Sequence, residues 1–185
     1  MKAKVYLALL HNPVYNKNMK EITTTVTNFD LHDIARTAKT YGIINYYIVN
    51  HLQSQKEMVK RIKAYWMSQF GAEYNADRKT AFEIIKIKDQ LVDVIEDIKE
   101  NEGEAPVLVT TDARKYENTL SFAQLREKLN SDGIYLILLG TGWGLTKEVI
   151  SDSDYILEPI HGQGDYNHLS VRAAAAIILD RLLGE

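Results

Sequence analysis

The chain alternates short runs that are apolar at nearly every position with longer stretches in which apolar residues recur every three or four. Runs of the first kind are Lys4 to Leu10 (KVYLALL), Asn45 to Val49 (NYYIV), Phe82 to Ile87 (FEIIKI), Val107 to Thr111 (VLVTT), Ile134 to Leu139 (IYLILL) and Tyr155 to Leu157 (YIL). Their length and their β-branched and aromatic content predict strands. Several are apolar on both sides, the pattern of a strand covered above and below in a parallel sheet. Of the second kind, Asp30 to Thr40 places Leu31, Ile34, Ala35 and Ala38 on one stripe. Gln53 to Phe70 does the same with Met58, Ile62, Tyr65, Trp66 and Phe70. Leu91, Val94, Ile95 and Ile98 mark a third amphipathic helix, Ser121 opens a fourth with the capping-box sequence Ser-Phe-Ala-Gln, and Leu169 to Leu183 is the last. Gly71 to Thr80 (GAEYNADRKT) reads as a long surface loop. The order predicts an α/β fold, a parallel sheet with helices on both faces, and ligands in such sheets bind beyond the carboxyl ends of the strands.

Composition narrows the class. The 185 residues suit one domain spanning 1–185. With no cysteine, disulfides and thiolate metal sites are excluded, and the chain is expected to be cytoplasmic. MKAKVYLALLHNP at the start is too briefly apolar for a membrane span and has no cleavage pattern, so no membrane partner is expected. A net charge of -3 leaves any nucleic-acid contact to a local basic patch. His11, His32, His51, His161 and His168 show no metal-ligand spacing, and no GxSxG elbow is present; neither a metal site nor a serine hydrolase is expected.

Three loops leave the ends of consecutive predicted strands. Thr110, Thr111, Asp112, Ala113 and Arg114 follow VLVTT, and their hydroxyls and acid suit either a ligand or a turn cap. Gly140 to Leu145 (GTGWGL) places three glycines in five positions, which lets the backbone approach a ligand and donate its NH groups. It is neither a phosphate loop nor a full dinucleotide fingerprint, and Trp143 could equally close a tight turn over the core. The third loop, 158–168, ends in Tyr166, Asn167 and His168 at the mouth of the last helix, where they either contact a ligand or cap the helix. Together the loops suggest one shared cleft. On the first helix, Arg36 sits beside the buried stripe, suited to clamping a phosphate or to a structural ion pair.

Three segments, TNFDLHDIARTAKTYGI, GTGWGL and EPI with YNHLSVRAAAAI, resemble the SPOUT superfamily of S-adenosylmethionine-dependent RNA methyltransferases, in its small single-domain bacterial and archaeal branch. The likeness runs over essentially the whole chain. Asn28 and Arg36 match the superfamily's first motif, Gly140 to Leu145 its second, and Tyr166 to Ala176 its third. The glycine common between Asn and Arg in the ribose-methylating branch is absent, as is the usual glutamate of the second motif, and His168 stands where the third motif has Asn. The resemblance implies a C-terminal trefoil knot, an exception to the rule that chains do not thread loops, and a homodimer. It also implies that S-adenosylmethionine is held by Thr110, Thr111, Leu139, Gly140, Gly142, Trp143, Gly144, Leu145, Ile160, Tyr166, Asn167, His168, Leu169 and Ser170.

The reaction so implied is methyl transfer to a ribose 2'-hydroxyl or base nitrogen of tRNA or rRNA. The catalytic residues would be Arg36, Asn28, Asp112 and His168: Arg36 orienting an RNA phosphate or promoting loss of the acceptor proton, and Asp112 or His168 as the base. RNA affinity would draw on a dimeric basic patch from Lys17, Lys20, Arg36, Lys39, Arg78 and Lys79; no aromatic-basic recognition motif is visible in the sequence. Two other classes fit the same loops: a non-catalytic module that binds S-adenosylmethionine or a nucleotide, and a small-molecule enzyme on an ordinary open sheet.

Overall fold

A computed structural model describes residues 3–164 and 166–185; Met1 and Lys2 of the N-terminal segment and Asp165 of the third loop lie outside them. Six strands form one parallel sheet: β1 (Lys4–Leu10), β4 (Tyr46–Val49), β5 (Ile85–Lys88), β6 (Val107–Thr111), β7 (Ile134–Gly140) and β8 (Tyr155–Leu157). Two short strands, β2 (Val14–Tyr15) and β3 (Glu21–Ile22), pair as an antiparallel hairpin. The large sheet runs β5-β4-β1-β7-β6-β8, with β1 and β7 in register from Lys4 opposite Ile134 to Leu10 opposite Gly140. From β1 the chain moves outward one way to β4, and from β7 it jumps the other way to β8. The sheet order therefore reverses between β1 and β7, and a crevice opens outside their carboxyl ends.

Burial explains why these segments are strands. Alternate residues of β1 feed two separate cores: Val5, Leu7 and Leu9 on one face, Tyr6, Ala8 and Leu10 on the other. The first core is covered by a π-helical turn (Asp30–Ile34), α1 (Ala35–Thr40), α4 (Ala76–Glu83), α6 (Phe122–Leu129) and α8 (Val171–Leu183). The second lies under α5 (Leu91–Glu102), α7 (Lys147–Ser151) and the hairpin. Helices thus lie on both faces, as the doubly apolar strands predict. None of the described helices is long and apolar enough to cross a membrane.

The structure corrects two boundaries and one loop. Phe82 and Glu83 close α4 instead of opening β5, because Phe82 is fully buried beneath the helices and the strand pairs with β4 only from Ile85. The predicted second helix stops at Met67 (α2, Gln53–Met67), where Ser68 turns extended and caps α3 (Gln69–Tyr74) by accepting from Gly71 N. The expected loop at 71–80 is helical: Asn75 breaks the chain once and accepts from Arg78 N to cap α4. The capping box at Ser121 forms as its sequence predicts, Ser121 Oγ accepting from Gln124 N and Gln124 Oε1 accepting from Ser121 N. Leu7, at the middle of β1 with no exposed surface, is a sensitive core position. Leu7→Ala is expected to cost about 2–5 kcal/mol in urea unfolding, whereas Val92→Ala, half exposed on α5, should stay within about 0.5 kcal/mol.

Candidate functional site

At the reversal point the loops after β1, β6, β7 and β8 enclose a cavity of about 530 Å³, within the usual range for a small ligand. The loops after β1 and β7 are joined backbone to backbone. Trp143 N donates to Tyr15 O at 2.8 Å, Tyr15 N donates to Gly144 O at 3.0 Å, and Thr141 N donates to Leu10 O. Gly142 has φ +60°, and a Cβ there would lie 2.8 Å from Tyr15 O, so this approach requires glycine. A Cβ on Gly144 (φ +96°) would press against Arg114 and Asp112.

Arg114 ties the β6 loop to the β7 loop. Its Nε donates to both oxygens of Asp112 at 3.0 Å, and its Nη2 donates to Leu145 O at 2.7 Å. Tyr116 OH also donates to Asp112, at 3.4 Å. The Asp112 side chain is nearly inaccessible, and these donors engage its oxygens. The β8 loop is tied in by Asn167 Nδ2, which donates to Ala113 O, and by Glu158 Oε1, which accepts from Phe122 N at the start of α6.

A buried polar chain runs behind the β1 and β7 loops. Thr141 Oγ1 donates to Leu10 O at 3.0 Å and lies 2.6 Å from Thr24 Oγ1, which lies 3.0 Å from His11 Nδ1. With the Thr141 proton on Leu10 O, Thr24 must donate to Thr141 and the His11 Nδ1–H to Thr24. His11 Nε2 is then a bare acceptor, buried without a partner among the described residues. Burial holds the His11 pKa down to about 4; the nearby Asp30 charge and the Thr25 backbone oppose the fall. Asp30 itself accepts from Thr27 Oγ1 at 2.6 Å and lines the cavity.

Of the sequence-predicted residues, Thr111, Asp112, Leu139, Gly140, Gly142, Trp143, Gly144, Ile160, His168, Leu169 and Ser170 line this cavity together. Trp143 is 57% exposed, on the rim, with its ring centroid 6.4 Å from that of His168. Ser170, and not Asn167, caps the last helix, by accepting from Ala173 N. Thr110 is fully buried and donates to Tyr155 O, Leu145 is sealed in the second core, and Tyr166 is exposed outside the lining. Asn28 and Arg36 are exposed and do not line the cavity of their own chain. The ion pair near that helix belongs instead to Arg172, whose Nη1 lies 2.8 Å from Asp33 Oδ2. Sequence reasoning passed over Thr24, Thr25, Thr27, Asp30 and Thr141; the run TTTVT at 23–27 was the available signal. A more open cleft of about 680 Å³ beside β8 and α7 has none of the glycine backbone that lines the first.

A cavity lined by glycine backbone, hydroxyls and carboxylates at the reversal point of a parallel sheet defines an α/β protein with a ligand crevice at its switch point. The profile of a family described as SAM-dependent RNA methyltransferase matches residues 4–184. The chain therefore belongs to that family: it is a methyltransferase, its cofactor is S-adenosylmethionine and its substrate is RNA. A protein of Aquifex aeolicus described only as uncharacterized is 46% identical over 96% of this chain and 87% of its own length. A tRNA (guanine-N(1)-)-methyltransferase of Oleidesulfovibrio alaskensis is 38% identical over 98% of this chain, which spans only 42% of that protein. The fold matches the crystal structure of the SpoU methyltransferase AviRb of Streptomyces viridochromogenes in complex with AdoMet. The TM-score is 0.59 at 15% identity, over 97% of this chain and 57% of that one.

The buried His11 predicts an acid sensitivity. Its folded pKa lies below that of the unfolded chain, so the unfolded state takes up the proton first and stability falls as pH drops from about 6.5 towards 4. The His11 share of that loss reaches at most roughly 3 kcal/mol. Urea midpoints measured across this window should fall more steeply for the native chain than for His11→Gln.

Proposed function

We propose that the cavity at the β1/β7 reversal point holds S-adenosylmethionine and that the chain transfers its methyl group to a nucleotide of tRNA. The observation that carries this reading is the glycine turn at 140–144, which lines the cavity beside apolar, hydroxyl and carboxylate side chains. Those residues suit the parts of the cofactor. Leu139, Ile160, Leu169 and Ile178 offer apolar surface to a purine, and the β7 loop offers backbone groups to its edge. Thr24, Thr141, Asp30 and Glu158 offer partners to ribose hydroxyls and to an ammonium group. When bound, S-adenosylmethionine supplies a methyl carbon activated by the neighbouring sulfonium charge. The chain's contribution is to align the acceptor and exclude water. His168 is assigned the acceptor proton, because it stands on the rim with its ring exposed while Asp112 is engaged by Arg114.

The choice of tRNA is supported by the Oleidesulfovibrio relative, where a homologous segment is joined to a tRNA-methylating protein. Its guanine-N1 activity belongs to a protein more than twice as long and does not by itself pass to this segment. The reading includes a homodimer, because Asn28 and Arg36 are exposed, do not line their own cavity and would complete that of a second copy. Phe29, 65% exposed with Arg172 5.1 Å from its ring centroid, and Leu169 give that face an apolar rim. It also includes one domain over 1–185, a C-terminal trefoil knot, and a place in the cytoplasm with the tRNA.

Calorimetric titration with S-adenosylmethionine tests the site: the native chain should bind, and a folded Gly142→Val should bind at least about tenfold more weakly, since its Cβ collides with Tyr15 O. Labelled methyl transfer to undermethylated tRNA, with the nucleoside product identified by mass spectrometry, tests the reaction and separates ribose from base. Arg36→Ala should lower kcat/KM by about tenfold or more, the worth of one charged hydrogen bond, and leave cofactor affinity unchanged. Cofactor binding with no label in tRNA or rRNA would instead leave a non-catalytic module.

A further inference from the structure

Three large rings on one face of the protein stand in solvent. Tyr65 is 49% exposed, Phe70 63% and Tyr74 72%. They are not scattered. Phe70 and Tyr74 lie nearly parallel at 13°, with centroids 6.4 Å apart. Tyr65 lies 6.1 Å from Phe70 and packs edge-on against Trp66 at 5.2 Å. Gly71 makes the cluster possible. A Cβ there would lie 2.5 Å from Tyr65 O, so only glycine lets α3 fold back onto the end of α2 and bring the rings side by side. A contiguous exposed aromatic face of this kind marks an interaction surface.

Its charge identifies the partner. The Arg78 guanidinium lies 4.6 Å from the centre of the Trp66 ring, and among the described residues neither Arg78 nor Arg36 has a carboxylate within ion-pair distance. Both cations lie near His32, whose pKa is lowered first by burial and then by Arg78, with Arg36 adding to the fall and Asp33 opposing it. His32 meets Trp66 edge-on at 5.4 Å, and Asp30, two residues earlier on the same π-helical turn, lines the cofactor cavity. One helical turn thus lies between the aromatic face and the cofactor cavity. A two-fold contact between copies through these rings would set the Arg78 of each copy against the other. Single-stranded RNA supplies what the face lacks: flat bases for the rings and phosphates for the cations.

We propose that Tyr65, Phe70 and Tyr74, with Trp66 and Arg78 beside them, form a platform that stacks unpaired bases of the RNA substrate near the methyl-transfer site. This rests on the assignment of the chain as an RNA methyltransferase, but its test does not need turnover. Fluorescence anisotropy with a labelled twelve-nucleotide oligoadenylate and a twelve-base-pair RNA duplex reads the platform directly. The native chain should prefer the single strand. The double variant Phe70→Ala/Tyr74→Ala should weaken single-strand binding about tenfold or more, leaving duplex binding, S-adenosylmethionine affinity and the circular dichroism spectrum unchanged. Phe70→Trp/Tyr74→Phe, which keeps both rings, should retain single-strand binding. Unchanged single-strand affinity in a folded double variant would overturn the proposal, as would a native chain with no preference for the single strand. A fall in oligomeric mass in place of RNA affinity would make the face a contact between copies and overturn it as well. Absence of methyl transfer with single-strand binding intact would count against the assigned reaction and leave the platform standing.

Discussion

The site depends on the contact of two backbones at Gly142 and Tyr15. The loops after β1 and β7 start from neighbouring strands and meet again beyond them, held by the exchange of hydrogen bonds between Tyr15 and the Trp143–Gly144 turn. The positive φ of Gly142 allows the approach, and any side chain there would force the loops apart. The rest is arranged around this contact. The Thr141, Thr24 and His11 chain fills the space behind it, and Arg114 braces the turn from the β6 side. The cavity is the volume left between these loops and the start of α8.

Two neighbouring acids show how burial assigns different work to one chemistry. Asp112, nearly inaccessible and held by Arg114, serves as a strut between loops. Asp30, also buried, faces the cavity and keeps Thr27 in place, with Arg172 Nε 3.9 Å away. A buried carboxylate engaged by a guanidinium is costly to leave unpaired, which suits Asp112 to architecture more than to proton transfer.

Much of this was legible in the sequence, and the boundary of legibility has physical causes. β1, β6 and β7 are apolar on both faces, a pattern fixed by local composition, and their bounds agree with the chain's own text to within one residue. The hairpin at 14–22 was not visible, because two-residue strands carry no period and its Tyr15 is held from Trp143 and Gly144. The 71–80 segment misled because Gly71 and Asn75 are breakers by type, yet here one is a packing point and the other a cap. In the site, glycines and the Thr-Asp loop announced themselves by type. Thr24 did not, since its partner Thr141 lies 117 residues away and only the sheet order brings them together. The aromatic face was hidden because Tyr65 and Phe70 are spaced as helix core and Tyr74 falls in the expected loop; the break at Ser68 and the α3 turn bring Phe70 and Tyr74 beside Tyr65.

The π-helical turn at Asp30–Ile34 has a consequence for register. Such a turn holds about one residue more than an α-helical turn. Leu31 and Ile34 stay fully buried, yet Asp30 points into the cavity and His32 towards Trp66 and Phe82. The surplus residue lets one short stretch address three surroundings at once: core, cavity and outer rings. Shortened by one position, the same stretch could keep its grip on the core only by surrendering one of the other two.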